Sequence, residues 1–561
     1  MPNKLYTLQG ESLKGTPWEV YPRPQMRRES YLNLNGAWEL VAEGYEEPIP
    51  ITVPFCPESI LSGVERHFAE GSVLLYRRSF CLPEGFNRGR VLLHVGAADQ
   101  VAEVFLNRKA IGQHEGGYTA FTLDITDALE EENLLEIRCT DDLRDSSMPY
   151  GKQTMHRGGM WYTPISGIWQ SVWLESVPNR HIEALKIENR GYGVHISITP
   201  AIDGCVQVDE LGEYPLKDGR AVIEPREPRL WSPEDPYLYR FKIVAGEDEV
   251  DSYFAIRTIE AKAINGIPRL CLNGKPYFFH GLLDQGYWPD GIYTPASPEC
   301  YAQDILAMKR LGFNTLRKHI KVEPEEFYYQ CDLLGMIVFQ DMVNNGDYSF
   351  IRDTAIPTVR IQKRSDKRMH KDEKTRKRFL DTMEQTVLQL GNHPCILYWT
   401  IFNEGWGQFD SDNVYKQLRA LVDTRIIDTT SGWFRRKNSD VESLHIYFGP
   451  WNQLRVCEKP LILSEFGGYA CSVEGHIFNP SKAYGYKTCT DLKDFQARIL
   501  ALYNDKVIPA IKKGLCGAIC TQVSDVEDEI NGFLTYDRKV CKADEELMRS
   551  LAAELQKQIT T

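Results

Sequence analysis

Two glutamates carry the strongest chemical signal in this 561-residue chain. Glu404 closes the apolar run CILYWTIFNE (395–404), and Glu465 sits near the end of PLILSEF (460–466). Glycine and aromatic residues flank both, in FNEGWG and SEFGG. A short apolar run bounded in this way reads as a buried strand, so each carboxyl stands at a strand end. Two carboxyls facing one cleft can split a glycosidic bond. One protonates the leaving oxygen, and the other attacks the anomeric carbon or activates a water. Environment must separate the two roles. Trp399, Phe402 and Trp406 flank Glu404 in the chain, and an apolar setting raises a carboxyl pKa by desolvation, which suits the acid. Arg317 and Tyr447 are polar candidates that would hold Glu465 ionised as the nucleophile. Asn403, beside the acid, could bond the sugar 2-hydroxyl.

A scaffold that brings these residues together is legible in the rhythm of the chain. After Ile264, short apolar runs alternate with amphipathic helical stretches such as ECYAQDILAMKRLG and TRKRFLDTMEQTVLQLGN. Eight strand candidates fall at 277–283, 313–319, 336–342, 395–404, 426–433, 442–448, 460–466 and 517–525. Eight such units over about 300 residues predict a (β/α)8 barrel over 263–561, with its chemistry where the strands end. Strands four and seven then face each other across the ring. Upstream, alternating runs such as YLNLNGAWEL and YTAFTLDIT between Gly, Asn and Asp turns predict two antiparallel β-sandwiches. A jelly roll is expected over 1–178 and a smaller immunoglobulin-like sandwich over 179–262, giving a multidomain β plus α/β chain.

Composition narrows the function. Hydrophobic residues make up 42% and charged residues 25%, an ordinary globular balance. The net charge of −13 disfavours nucleic acid and anionic membranes as partners and leaves small glycosides open. No run is long enough to cross a membrane, and the first residues lack the apolar core of a secretory leader, so a cytoplasmic location is expected. Fourteen cysteines are scattered without a CxxC pair, which predicts reduced, buried thiols rather than a zinc site or a disulfide framework. The two-carboxylate chemistry calls for no cofactor and no metal. Between strands three and four, residues 360–378 hold ten Lys or Arg against three acids, read as a solvated loop or as a basic lip.

The chain as a whole resembles glycoside hydrolase family 2, the β-galactosidase, β-glucuronidase and β-mannosidase group. LNLNGAWEL, ITVPFCPES and MWYTPISGIWQSVWLE resemble its sugar-binding jelly roll. LWSPEDPYLYRFKI resembles the end of its immunoglobulin-like domain. FNEGWG and ILSEFGG resemble its acid/base and nucleophile motifs. The resemblance implies an exo-acting enzyme that retains configuration through a glycosyl-enzyme intermediate, with Glu465 as nucleophile and Glu404 as acid/base, set about 5–5.5 Å apart. It further implies that Arg317 supports the nucleophile and that Tyr447 supplies the hydroxyl beside it. His319, Asp284 and Gln285 become candidate sugar contacts, with Asp341 and Asp525 weaker ones. Trp406, Trp433 or Trp288 could stack on the ring.

Departures from the family pattern bear on the substrate. Family glucuronidases carry an Asn-any-Lys motif that grips the uronate carboxylate. Here the matching stretch is Glu529-Ile530-Asn531, where the lysine is absent and an acid is gained, which would repel a uronate. Galactosidases have an acid before the Met-Trp of the jelly-roll loop and a Trp on the eighth strand; this chain has Gly159 and Thr521. A neutral terminal sugar is expected, with β-galactoside the leading substrate. β-Glucuronide or another β-glycoside is the alternative within the family. A catalytically silent sugar-binding protein, a docking role for the basic segment, and a homo-oligomer remain open.

Overall fold

The structure, a computed structural model, describes residues 2–355, 366–367, 369–422, 424–448, 451 and 454–560. Within 360–378, residues 360–365 and 368 lie outside the described residues. The C-terminal half builds a parallel barrel from β1 (Phe279–Asp284), β2 (Thr315–Lys318), β3 (Ile337–Asp341), β4 (Ile396–Asn403), β5 (Ile426–Ser431), β6 (Glu442–Ile446), β7 (Leu461–Gly467) and β8 (Leu515–Thr521). All eight expected strands form. Hydrogen bonding runs β5-β4-β3-β2-β1-β8-β7-β6, so the ring is closed everywhere except between β5 and β6. The ten residues between those strands form no helix.

The strands read as continuous apolar runs because both faces are buried. β4 and β7 are buried along their whole length, one side facing the ring's interior and the other the covering helices. Helices such as Glu325–Leu334 and Glu373–Leu390 lay an apolar stripe on the barrel, with Phe327 and Cys331 buried on the first and Phe379 and Met383 on the second. Their ends follow ordinary capping rules. Asp372 accepts from Thr375 N at the start of the second, and Gly335 closes the first in the left-handed conformation.

Both sandwiches are present. In the first, a six-stranded antiparallel sheet runs through Gly36–Ala42, Val73–Phe80 and Asn133–Thr140, and a four-stranded sheet runs through Arg90–Val95 and Val172–Val177. Gly36–Ala42 alternates buried and exposed residues, and its inward members, Trp38 and Leu40, join Tyr76, Leu93 and Ile137 in one core. The second sandwich packs three strands against four around Ile196, Val206, Phe241 and Val250. No disulfide forms; most of the 14 cysteines are buried free thiols.

Buried ions join the sandwiches to each other. Arg28 reaches Glu175 of the first at 3.0 Å and Asp248 beside the second at 2.8 Å, with all three side chains almost wholly shielded from water. Burial pushes the Glu175 carboxyl up, but Arg23, His94 and Arg28 outweigh it and hold the group well below the usual carboxylate range. Arg28→Ala would leave the buried Asp248 without its cation and Glu175 with Arg23 as its remaining guanidinium. A loss of about 3–5 kcal/mol is expected, measured by chemical denaturation, and a loss under 1 kcal/mol would contradict this role.

Candidate functional site

The barrel's interior is organised by Arg317, which projects from β2. Its Nε donates to Asp341 at the end of β3 (3.0 Å), and Nη2 donates to Asn403 at the end of β4 (2.9 Å). On β7, Nη1 donates to Glu465 Oε1 (3.0 Å) and to the Ser464 carbonyl (3.1 Å). Burial works against the guanidinium charge, and Asp341 and Glu465 more than offset that cost. One fixed fork therefore sets the positions of groups on three other strands.

Glu465 receives a second donor, the Tyr447 hydroxyl at 2.8 Å on its Oε2. Tyr447 is oriented in turn by Thr521 Oγ1 at 2.8 Å on β8. The pairing of β6 with β7 slips at Leu444 and His445, opposite Glu465; irregularities of this kind re-aim side chains beside active sites. Burial pushes the Glu465 carboxyl up, but His445, Arg317, His319 and Lys152 around it prevail and hold it below the ordinary range.

Glu404 caps β4 in the left-handed region, at φ 50°, a conformation that costs energy in a non-glycine residue and is often kept at functional sites. Its backbone N–H donates to the Ser431 carbonyl, and its Oε1 lies 2.7 Å from His445 Nδ1. The same nitrogen is 3.5 Å from Glu465 Oε2. Arg317 Nη1 can only donate and lies 3.4 Å from His445 Nε2, which favours the tautomer with its proton on Nδ1, aimed at both carboxylates. One atom each from Glu404, His445 and Glu465 lies within 4.8 Å of the other two. Gly432 makes room for this imidazole, since a Cβ there would sit 2.6 Å from the ring at φ 85°.

The expected sugar contacts divide. His319 joins the site, with Nδ1 2.8 Å from Asp341 Oδ2; burial brings its pKa down to about 4, leaving a neutral ring at pH 7. Asp341 thus clamps both Arg317 and His319. Asp284 is committed to Lys318 at 2.7 Å, and Gln285 donates to Gln522 at 2.9 Å while its Oε1 has no partner. Asp525 belongs to an internal ion pair with Lys542. The apolar pocket expected around Glu404 is only partly formed. Phe402 turns outward to stack on Phe379, and the nearest neighbour of the carboxyl is an imidazole. Trp406 is buried and stacked on Trp161 of the jelly-roll loop, 5.2 Å between centroids. Trp433 stands half-buried, 5.8 Å from His445. Trp288 packs instead against Tyr301 and beneath the Arg538 guanidinium. The described part of the basic segment does not form a lip. Arg378 pairs with Glu115 and Asp145 of the first sandwich, and Arg376 is spent on backbone carbonyls.

Two residues at the site were missed in the sequence. His445 lies two positions before Tyr447, on the same face of β6, and that spacing was a usable signal. Lys152 enters from the first sandwich on a loop that docks over the barrel mouth. Tyr162 of that loop donates to Glu529 after β8, and Thr163 N donates to Glu527 at 3.0 Å. Nothing local in the sequence announces where such a loop will land.

Comparison with known proteins agrees with this architecture. Residues 265–559 match the TIM barrel domain of the glycosyl hydrolases family 2, residues 64–161 its galactose-binding domain-like module, and residues 187–257 a further family 2 domain. The chain belongs to glycoside hydrolase family 2. It is 24% identical over 379 residues to a β-galactosidase of Thermoanaerobacter pseudethanolicus, covering 62% of this chain and 46% of that protein. It is likewise 24% identical over 385 residues to a β-glucuronidase of Bacteroides fragilis, covering 62% and 52% respectively. The chain thus spans about half the length of these curated relatives. The structure of a β-D-glucuronidase from Dictyoglomus thermophilum shares the fold, with a TM-score of 0.73 at 20% identity over 96% of this chain and 98% of that one.

Proposed function

We propose that the protein is a retaining, exo-acting β-glycosidase in which Glu465 attacks the anomeric carbon and Glu404 serves as acid and then base. The observation that carries this reading is the meeting of the two carboxyls at one histidine, with ligand atoms within 4.8 Å of one another. That closeness supports a double displacement, in which carboxyls stand about 5–5.5 Å apart, over the inverting arrangement, which needs room for a water. Glu465 is held ionised by its surroundings, as a nucleophile must be. Glu404 gives its proton to the departing oxygen, the sugar bonds to Glu465, and a water activated by Glu404 then releases it. Asn403, fixed by Arg317, is positioned for the 2-hydroxyl. His319, Trp406, Trp433 and the free oxygen of Gln285 line the sugar site.

The substrate is a β-linked terminal sugar. The sequence favours a neutral one, such as galactose, on the ground that Glu529 would repel a uronate. That ground weakens because the positive charge of Lys152 acts on Glu529, whose oxygens accept from Tyr162 and, at 2.8 Å, from Asn531. Relatives named for galactosides and for glucuronides both support the β-glycosidase reading.

On aryl β-glycosides, Glu465→Gln should lower kcat by about 10⁴-fold or more. Glu404→Gln should lose 10²–10⁴-fold, roughly, on poor leaving groups while sparing bond cleavage of activated aryl substrates. Equal losses on both leaving-group types would remove Glu404 from the acid role. His445→Asn takes away a group that holds Glu465 ionised. Its carboxyl then titrates at higher pH, so the acidic limb of kcat/KM should move toward neutrality, with a loss of about 10–100-fold at the optimum. An acidic limb that stays in place would contradict the assignment.

A further inference from the structure

Lys152 enters the mouth as a cation whose charge helps to hold Glu465 ionised. Its side chain is more than nine-tenths buried, yet its ammonium has no hydrogen-bond partner among the described residues, and none of their carboxylate oxygens lies within 4.0 Å of it. Burying an unpaired ammonium is costly. The fold nevertheless holds it in place. Gly151 adopts a left-handed turn in which any Cβ would meet the Tyr118 hydroxyl at 2.8 Å and the Ile320 carbonyl at 3.0 Å. Gln153, on the other side, donates to Asp99 and accepts from Ile165 N at 2.7 Å. Between these anchors the Lys152 stem reaches over the indole of Trp406, with Nζ 4.8 Å from the ring centroid.

That position lies inside the sugar site. Trp406 follows Glu404 by two residues, and the Lys152 charge acts on Glu404, Glu465, Glu529 and Arg317. The other cations there are already engaged. Arg317 is spent on Asp341 and Glu465, and Lys318 on Asp284 and Glu323. Among the described residues, Lys152 remains a positive group free to meet an anion on the bound ring. A carboxylate seated against it would form a charge-assisted hydrogen bond in a site shielded from water, where such bonds are strongest.

We infer that Lys152, delivered by the jelly-roll loop, selects a terminal sugar that bears a carboxylate, so that the substrate is a β-linked hexuronide. This rests on the β-glycosidase reading above and changes the neutral sugar expected from sequence. The lysine missing beside Asn531 is replaced by one from another domain, whose positive charge also acts on Glu529 and offsets its repulsion.

The test compares kcat/KM for 4-nitrophenyl β-D-glucuronide and β-D-galacturonide with that for the β-D-galactoside. Wild type should favour a uronide by at least about tenfold. Lys152→Met should lower the uronide-to-galactoside ratio by about 100-fold, the scale of a lost charged hydrogen bond, and Lys152→Arg should restore most of it. Matching thermal unfolding midpoints for the three proteins would show that folding is not the cause. A wild type that prefers the galactoside overturns the inference. So does a Lys152→Met variant that loses both activities equally, since the lysine would then serve only the carboxylate pair. Calorimetric binding of free glucuronic acid, galacturonic acid and galactose separates the two readings. If no glycoside is cleaved, the proposed function fails. Uronic acid binding lost in Lys152→Met would then uphold the inference, and equal binding by both proteins would end it.

Discussion

A single buried guanidinium holds this site together. Arg317 is fastened to Asp341, Asn403, Glu465 and the Ser464 carbonyl, and so ties β2 to β3, β4 and β7 through the inside of the ring. A charge in that position is tolerable only because every direction of its planar fork meets an acceptor. The geometry of the two carboxyls follows from it. Glu465 is pinned directly. Glu404 follows Asn403, whose side chain the same fork holds, and shares His445 with Glu465. Removing Arg317 would therefore disturb the spacing, the protonation and the local backbone together.

The division of labour proposed for the carboxyls rests on their neighbours rather than on an apolar pocket around Glu404. Glu465 has two donors on its oxygens and cationic or polar groups around it. Glu404 has an imidazole and a strained backbone at the end of its strand. The shared histidine gives the pair a common donor, so that a change in charge on one is felt by the other. The first sandwich completes the mouth. It lays Trp161 on Trp406 and sends Lys152 across that indole, which makes it part of the site as well as a support for the barrel.

Much of this was legible in the chain. The eight strands show as apolar runs because a parallel barrel buries both faces of each strand, and the two glutamates stand out because glycine and aromatics bracket them. Arg317, Tyr447 and Asn403 lie at strand ends, where topology alone brings them to one opening. What stayed hidden depends on contacts across domains or across the ring. Lys152 is an ordinary loop lysine until the jelly roll docks. Phe402 looks like a neighbour of Glu404, but it faces the helices, opposite Asn403, and the left-handed backbone at Glu404 turns that carboxyl away from it. Asp284 and Asp525 look like sugar ligands, and only the folded chain supplies Lys318 and Lys542 to neutralise them.

In the proposed mechanism Glu465 becomes bonded to the sugar during turnover. A 2-deoxy-2-fluoro β-glycoside with a good leaving group should be attacked by this residue and then hydrolysed slowly, because the fluorine destabilises the cationic transition state of both steps. Peptide mass spectrometry of the trapped protein measures this directly. One added fluorosugar per chain is expected, on the peptide containing Leu463-Ser464-Glu465-Phe466. An adduct on any other residue would contradict the mechanism, as would burst-free turnover with no adduct at all.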